Sequence, residues 1–298
     1  MENLKRLVVV QIINHAWSGR GKLRHEDLGA NIKVPPETLA TLGSKRLYPK
    51  EKLRIFDALS KRAERRCLVR GVRFLQGFVI PKDKAAELAT ELDAIRKEFN
   101  EAVETFAQEF ADTLASWKEQ WPDWPGIIDI DANASTLKRR FGFECPMYEV
   151  SATDAVPERF NPLGASVDAI ATTLLTDISQ AAGELLAKSV KGKKKVTRHA
   201  INALVRIADK AEGLQFLTSK AVNLVADARA IVAGLPQTGD IEGRQCQSVE
   251  RLLESMVAAR QRRIRKSPRS DGQPQRGRRS VRHIRHRDQK QRGEDRQR

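Results

Sequence analysis

Ser18-Gly19-Arg20-Gly21-Lys22 gathers glycines, a hydroxyl and two cations, the residue types of a loop that cradles phosphate. A P-loop requires a four-residue spacer between its glycines and a Ser or Thr after the lysine. Neither is present, so the stretch reads as a structural turn, with an anion contact as the sharper alternative. His25-Glu26-Asp27 lacks a second histidine at helical spacing and reads as a helix start or turn cluster rather than a metal site. Glu98, Glu101, Glu104 and Glu109 look like the carboxylates of a di-metal helix, but no Glu-x-x-His accompanies them. An apolar stripe claims the inward positions of the same segment, which leaves these glutamates for a solvated face. His199 lacks an evident partner, and no serine stands in a nucleophile elbow. No catalytic, cofactor-binding or metal-ligating set is expected, and no cofactor.

Two further groups suit binding rather than catalysis. Trp117, Trp121 and Trp124 gather three of the four tryptophans at one helix end. Clustered indoles either seal the end of a core or form a partner-docking patch, since Trp is enriched in interface hot spots. Lys193, Lys194 and Lys195 form a basic loop, either simply solvated or touching a polyanion. Residues 260–298 hold 16 Lys+Arg, 14 of them Arg, against 4 acidic residues, a net +12 of the chain's +16. Arg262, Arg263, Arg265, Arg278 and Arg279 are the candidate phosphate contacts there, because the guanidinium fork matches phosphate oxygens. With almost no aromatics to stack on bases, such contacts would be indifferent to sequence. The tail reads equally as a solubilising segment, or as the product of a shifted reading frame, since the body uses lysine freely and the tail does not.

The elements that would position these groups follow from periodicity. The run 7–13 is β-branched and predicts a strand, 71–81 a second and 141–151 a third. Val34-Pro35-Pro36 opens a short helix over 37–42. Leu53, Phe56, Leu59, Ala63 and Cys67 predict a helix over 50–69. From Leu88 to Trp121 apolar residues recur in steps of 4, 3 and 4, an eleven-residue repeat that keeps one face of a nearly straight helix over 82–121. Trp121-Pro122 stops it, because proline cannot continue the hydrogen-bond ladder. A short helix over 131–140 follows, and 151–164, with two prolines, reads as a boundary. Helices over 166–190 and 197–233 form a hairpin expected to lie against the long rod. The first turns Val167, Ile170, Leu174, Ile178, Ala181 and Leu185 inward, and the second carries a heptad stripe from Leu214 to Ile231. A last short helix covers 247–259.

These readings give a mainly α, α+β protein. Long antiparallel helices, a helical hairpin or coiled-coil-like pair, accompany a small β element and a disordered C-terminal tail. The expected division is 1–150 (β element plus long helix), 151–259 (helical hairpin packing on it) and 260–298 (Arg-rich tail). Three scattered cysteines fit a reducing compartment. The apolar run near the N-terminus is too short for a signal peptide, and no stretch approaches the ~20 apolar residues that span a bilayer. A cytoplasmic location without membrane contact is expected.

The residues Ala16-Trp17-Ser18-Gly19-Arg20, Lys22-Leu23, Glu26-Asp27-Leu28-Gly29, Pro35-Pro36, Leu42-Gly43-Ser44-Lys45 and the run Gly71-Val72-Arg73-Phe74-Leu75-Gln76-Gly77-Phe78 ending at Pro81 form a recognisable pattern. Over about residues 7–235 the chain resembles an uncharacterised bacterial and phage family, domain of unknown function 3150. The resemblance implies a mobile-element setting, on a prophage or integrative conjugative element. It also implies partnership with a MoxR/CobS-like AAA+ ATPase and a CobT-like, von Willebrand-type protein. The function so implied is that of a non-enzymatic accessory or scaffold protein. The alternative is a sequence-nonspecific nucleic-acid-binding accessory protein acting through the tail and the lysine loop.

Overall fold

The computed structural model describes residues 2–28, 35, 36, 38–124, 126–130, 133–149 and 163–259. All of them belong to one unit, Met1–Arg262. The tail and its expected disorder lie outside the described residues, as does most of the boundary at 151–164.

The chain runs β1 (Leu7–Val10), β2 (Ile13–His15), β3 (Arg20–Lys22), β4 (Ser44–Arg46), α1 (Lys50–Arg70), β5 (Val72–Phe74), β6 (Gly77–Pro81), α2 (Ala85–Glu119), α3 (Ala134–Lys138), β7 (Gly142–Glu144) and β8 (Met147–Glu149). It continues with α4 (Leu163–Leu185), one π turn at Leu186–Val190, β9 (Lys195–Val196), α5 (Arg198–Gly213), α6 (Ser219–Ala233), β10 (Ile241–Glu242) and α7 (Gly243–Ala258). The fold is α+β and mainly α.

The three expected strand segments do meet, in a four-stranded antiparallel sheet of order β5-β6-β1-β8. Successive side chains of a strand point to opposite faces, and here both faces are buried. Leu7, Val9, Val72 and Val79 join the core built with α4 to α7. Val8, Val10, Phe78 and Ile80 join the core built with α1 and α2. This is why β1 reads as an unbroken apolar run rather than an alternating one. Two glycines are dictated by close approach: a Cβ at Gly71 would lie 2.1 Å from the Val79 carbonyl oxygen, and one at Gly77 2.4 Å from that of Val10.

The rod forms as the eleven-residue repeat requires. Leu88, Leu92, Ile95, Phe99, Val103, Phe106 and Phe110 are buried along α2, which is about 52 Å long at 1.5 Å per residue. Its neighbour is α1, running antiparallel. Phe56 meets Phe99 edge-on at 5.1 Å, and Lys52–Glu109, Arg62–Glu98, Arg66–Glu91 and Arg70–Glu87 ion pairs lace the seam. Glu104 pairs with Lys138. The glutamates expected on a solvated face are largely occupied in this way.

Several expectations need correction. The run 7–13 is two strands in two sheets: the chain bends at Gln11, whose N–H donates to the Pro146 carbonyl, and β2 pairs with β7 instead. Segment 71–81 is a hairpin, and 141–151 splits into β7 and β8. No helix forms at 38–42, where Leu39 and Ala40 N–H groups close a turn on the Pro36 carbonyl. The segment 197–233 is broken into α5 and α6 by a turn at Gln215–Leu217. Ala182, not Ala181, faces the core of α4. The α4–α7 group packs on the sheet face opposite the rod, so α1, rather than a hairpin of later helices, covers the rod.

Candidate docking groove

The apolar stripe of α2 outlasts its partners. Leu114 and Trp117 are half-buried, and beyond the helix end Trp121 and Trp124 are 47% and 52% exposed. Pro122 prevents further helix, and a staircase of turns replaces it: Trp124 N–H donates to the Trp121 carbonyl (3.0 Å) and Ile127 N–H to that of Trp124 (3.2 Å). Trp117 and Trp121 meet edge-to-face, centroids 5.7 Å apart at 73°. The Trp117 indole N–H is buried with no acceptor among the described residues, a cost of about 1–3 kcal/mol for an unmade hydrogen bond.

The three indoles form one side of a groove of about 390 Å³, whose other walls are Leu23, Leu28, Ile127, Ile128 and strand β4. The ribbon β3–β4 is held by a close ion pair in which Lys45 donates to Asp27, their side chains 11% and 9% exposed. Burial alone would raise the Asp27 carboxyl pKa. The Lys45 ammonium and the Arg24 backbone N–H more than offset this and hold it below the ordinary value. The groove's chemistry is therefore apolar contact with a basic margin, a surface suited to a protein segment.

Sequence reasoning named the three tryptophans, and the structure brings them to one groove. It places the fourth, Trp17, in the core against Phe106 and Phe110. It missed Leu23, Leu28 and the β3–β4 ribbon, whose sequence gives no signal of which surface it borders. Ser18-Gly19-Arg20-Gly21-Lys22 is the start of that ribbon, with Gly19 at φ 66°.

The lysine loop is less available than its composition suggests. Lys195 lies in β9 and faces Asp240 and Glu242 at 3.6 and 3.5 Å. Lys193 and Lys194 are exposed and make no ion pair among the described residues. Arg262, Arg263, Arg265, Arg278 and Arg279 lie outside the described residues.

A larger cleft, about 960 Å³, is bounded by an N-terminal 3-10 turn (Glu2–Arg6), the start of α2 and parts of α1, α5 and α6. Ion pairs line it: Arg70 of α1 to Glu87 and Glu91 of α2, and Arg229 of α6 to Asp209 and Glu212 of α5. The Arg6 guanidinium lies 4.1 Å over the Phe216 ring. This arrangement ties helix ends together. Burial pushes the Cys67 thiol up to about 12 and the Cys145 thiol up to about 11, which keeps both protonated near neutrality. Among the described residues no three His, Cys, Asp or Glu side chains converge to hold a metal ion. No helix among them is long and apolar enough to cross a membrane.

Fold and groove together define an α+β protein in which helices cover both faces of a small antiparallel sheet and an aromatic groove stands open at the end of the longest helix. Residues 4–257 match the family described as Protein of unknown function (DUF3150), and the chain belongs to that family. The match is wider than the 7–235 expected from motifs, and residues 260–298 lie beyond it. Neither curated proteins nor solved structures yield a match.

Proposed function

We propose that the protein is a non-enzymatic accessory subunit that captures a partner protein in the tryptophan groove. The partner follows the family resemblance: a MoxR/CobS-like AAA+ ATPase, acting with a von Willebrand-type protein in the cytoplasm of a bacterium that carries a phage or integrative element. The supporting observation is the convergence of Trp117, Trp121 and Trp124 on one groove while two of them remain about half exposed. A core-sealing role would bury them. Truncating a hot-spot residue, a class enriched in tryptophan, costs about 2 kcal/mol or more. Co-expressed with a MoxR/CobS-like ATPase from the same element, the wild-type chain should therefore co-purify with it, and Trp121→Ala/Trp124→Ala should not. Capture that survives the double substitution, or no capture by the wild type, would remove the proposal.

The second reading, a sequence-nonspecific nucleic-acid contact, is favoured by the net +12 of residues 260–298 and by Lys193 and Lys194, which are exposed and make no ion pair among the described residues. It predicts salt-sensitive binding, with log K falling by about 0.9 per neutralised phosphate for each decade of salt. Deleting 260–298 should abolish it. Unchanged affinity after the deletion would sink it.

A further inference from the structure

The nature of the captured segment can be inferred from the ribbon beside the groove, an inference that rests on the docking reading above. Leu47 N–H donates to the Gly19 carbonyl (2.8 Å) and Leu23 N–H to that of Gly43 (3.1 Å). The ladder between them pairs Arg20 with Arg46, Gly21 with Lys45 and Lys22 with Ser44. Hydrogen-bonded and non-hydrogen-bonded pairs alternate in an antiparallel ladder. Pairs 19/47 and 23/43 are hydrogen-bonded, so 21/45 is too. Arg20/Arg46 and Lys22/Ser44 are therefore non-hydrogen-bonded pairs, the class with Cα atoms only about 4.5 Å apart and side chains closest.

Two consequences follow. The N–H and C=O groups of Ser44 and Arg46 point away from β3, toward an outer edge. Among the described residues β4 has no second strand neighbour, and no backbone hydrogen bond takes up these groups. Ser44, Lys45 and Arg46 all line the groove whereas residues 20–22 of β3 do not, so this free edge is the one beside the tryptophans. The second consequence is electrostatic. Arg20 and Arg46 are both exposed and directly opposite each other, with no carboxylate on either among the described residues. Like charges directly opposite destabilise a ladder. Lys45, on the other face, is already neutralised by Asp27.

We propose that the partner supplies an extended segment of alternating acidic and apolar residues that adds to β4 as a third strand. Its backbone would take up the outward groups of Ser44 and Arg46. The pleat would place its carboxylates on the face shared by Arg20 and Arg46, and its apolar side chains on the opposite face, against the tryptophans. Edge addition of this kind draws affinity from main-chain hydrogen bonds and specificity from alternate side chains.

Three short peptides test this on the full chain: alternating aspartate and isoleucine, alternating lysine and isoleucine, and the aspartate peptide N-methylated at alternate amides. The readouts are tryptophan fluorescence and amide hydrogen exchange at Ser44 and Arg46. The aspartate peptide should bind at least about tenfold more tightly than either of the others, the change that ~1.4 kcal/mol produces. It should also slow exchange at both amides, and Arg20→Glu/Arg46→Glu should shift the preference toward the lysine peptide. The C-terminal arginines are present in every arm, so their attraction for acid cannot produce the N-methylation effect or the reversal. Equal binding of the acidic and basic peptides, absence of binding by the aspartate peptide, or unchanged exchange at Ser44 and Arg46 would each overturn strand addition. Should one of those results accompany loss of ATPase capture in Trp121→Ala/Trp124→Ala, the docking reading stands and only strand addition falls. Peptide preferences as expected with ATPase capture insensitive to the tryptophans would support strand addition as the site's chemistry and remove the ATPase as its source.

Discussion

One helix carries one apolar repeat to two different ends. Along the first three-quarters of α2, Phe99, Phe106 and Phe110 are buried against Phe56, Phe143, Tyr48 and Trp17. Along the last quarter and just past it, Trp117 and Trp121 continue the spacing, yet Trp121 is about half exposed. The repeat is the same and the surroundings differ. Periodicity specifies which residues share a face, while the elements that reach that face determine whether it becomes core or surface. α1 begins at Lys50 and its ion pairs reach only as far as Glu109, so the rod outruns its partner by more than two turns.

The sharpest way to break this comparison is to delete an aromatic at each end. Phe99→Ala should cost about 3–5 kcal/mol, the range for emptying a fully buried aromatic site, since Phe99 is 0% exposed. Denaturant titration of a chain lacking residues 260–298 would read it. A loss under about 1 kcal/mol would mean that the two ends do not differ.

The ribbon that walls the open end has its own anchor. Asp27→Asn should cost about 1.5–3 kcal/mol, the range for a hydrogen bond to a charged group. The same pair sets a pH dependence. The Asp27 carboxyl is depressed in the folded state relative to its ordinary value of 3.8. Its contribution is therefore fully present above about pH 4 and is lost as pH falls through the lower folded value. Acid titration of stability should show a component at the low-pH end that Asp27→Asn abolishes. Identical acid limbs in the two proteins would contradict the assignment.

Trp121→Ala should change stability by only about 0.5 kcal/mol, as for surface sites generally. A destabilisation comparable to that of Phe99→Ala, measured in the same denaturant series, would show the open end to be core. The smallest effect has the opposite sign. Arg46→Ser removes a like-charge cross-strand contact with Arg20 and should stabilise by about 0.2–1 kcal/mol. Added salt should narrow the gain by screening the wild-type repulsion. A destabilising Arg46→Ser would indicate that Arg46 has an anionic partner already.

Much of the helical layout was legible because it is written in local periodicity. The five buried positions of α1 and the seven of α2 are those that the spacing names. Breaks that conserve the stripe left no such trace. Leu214 and Leu217 are buried across the turn between α5 and α6, so the heptad pattern passes through a corner without interruption. The bend at Gln11 is equally silent, because a β-branched run favours extended backbone whether it serves one sheet or two. Lys195 read as part of a free basic loop because its neutralising partners, Asp240 and Glu242, are more than forty residues away.

The sequence by itself determined the α+β class, the rod and its face, the stop at Pro122 and the grouping of three tryptophans, all set by interactions between residues near one another along the chain. Tertiary structure alone decided that the sheet is buried on both faces and that α1 covers the rod. It alone left the tryptophans in an open groove beside β4, whose outer edge has no strand neighbour among the described residues. Those outcomes depend on which distant segments meet, and hydrophobic burial, being non-directional, does not encode its partner in the pattern that drives it.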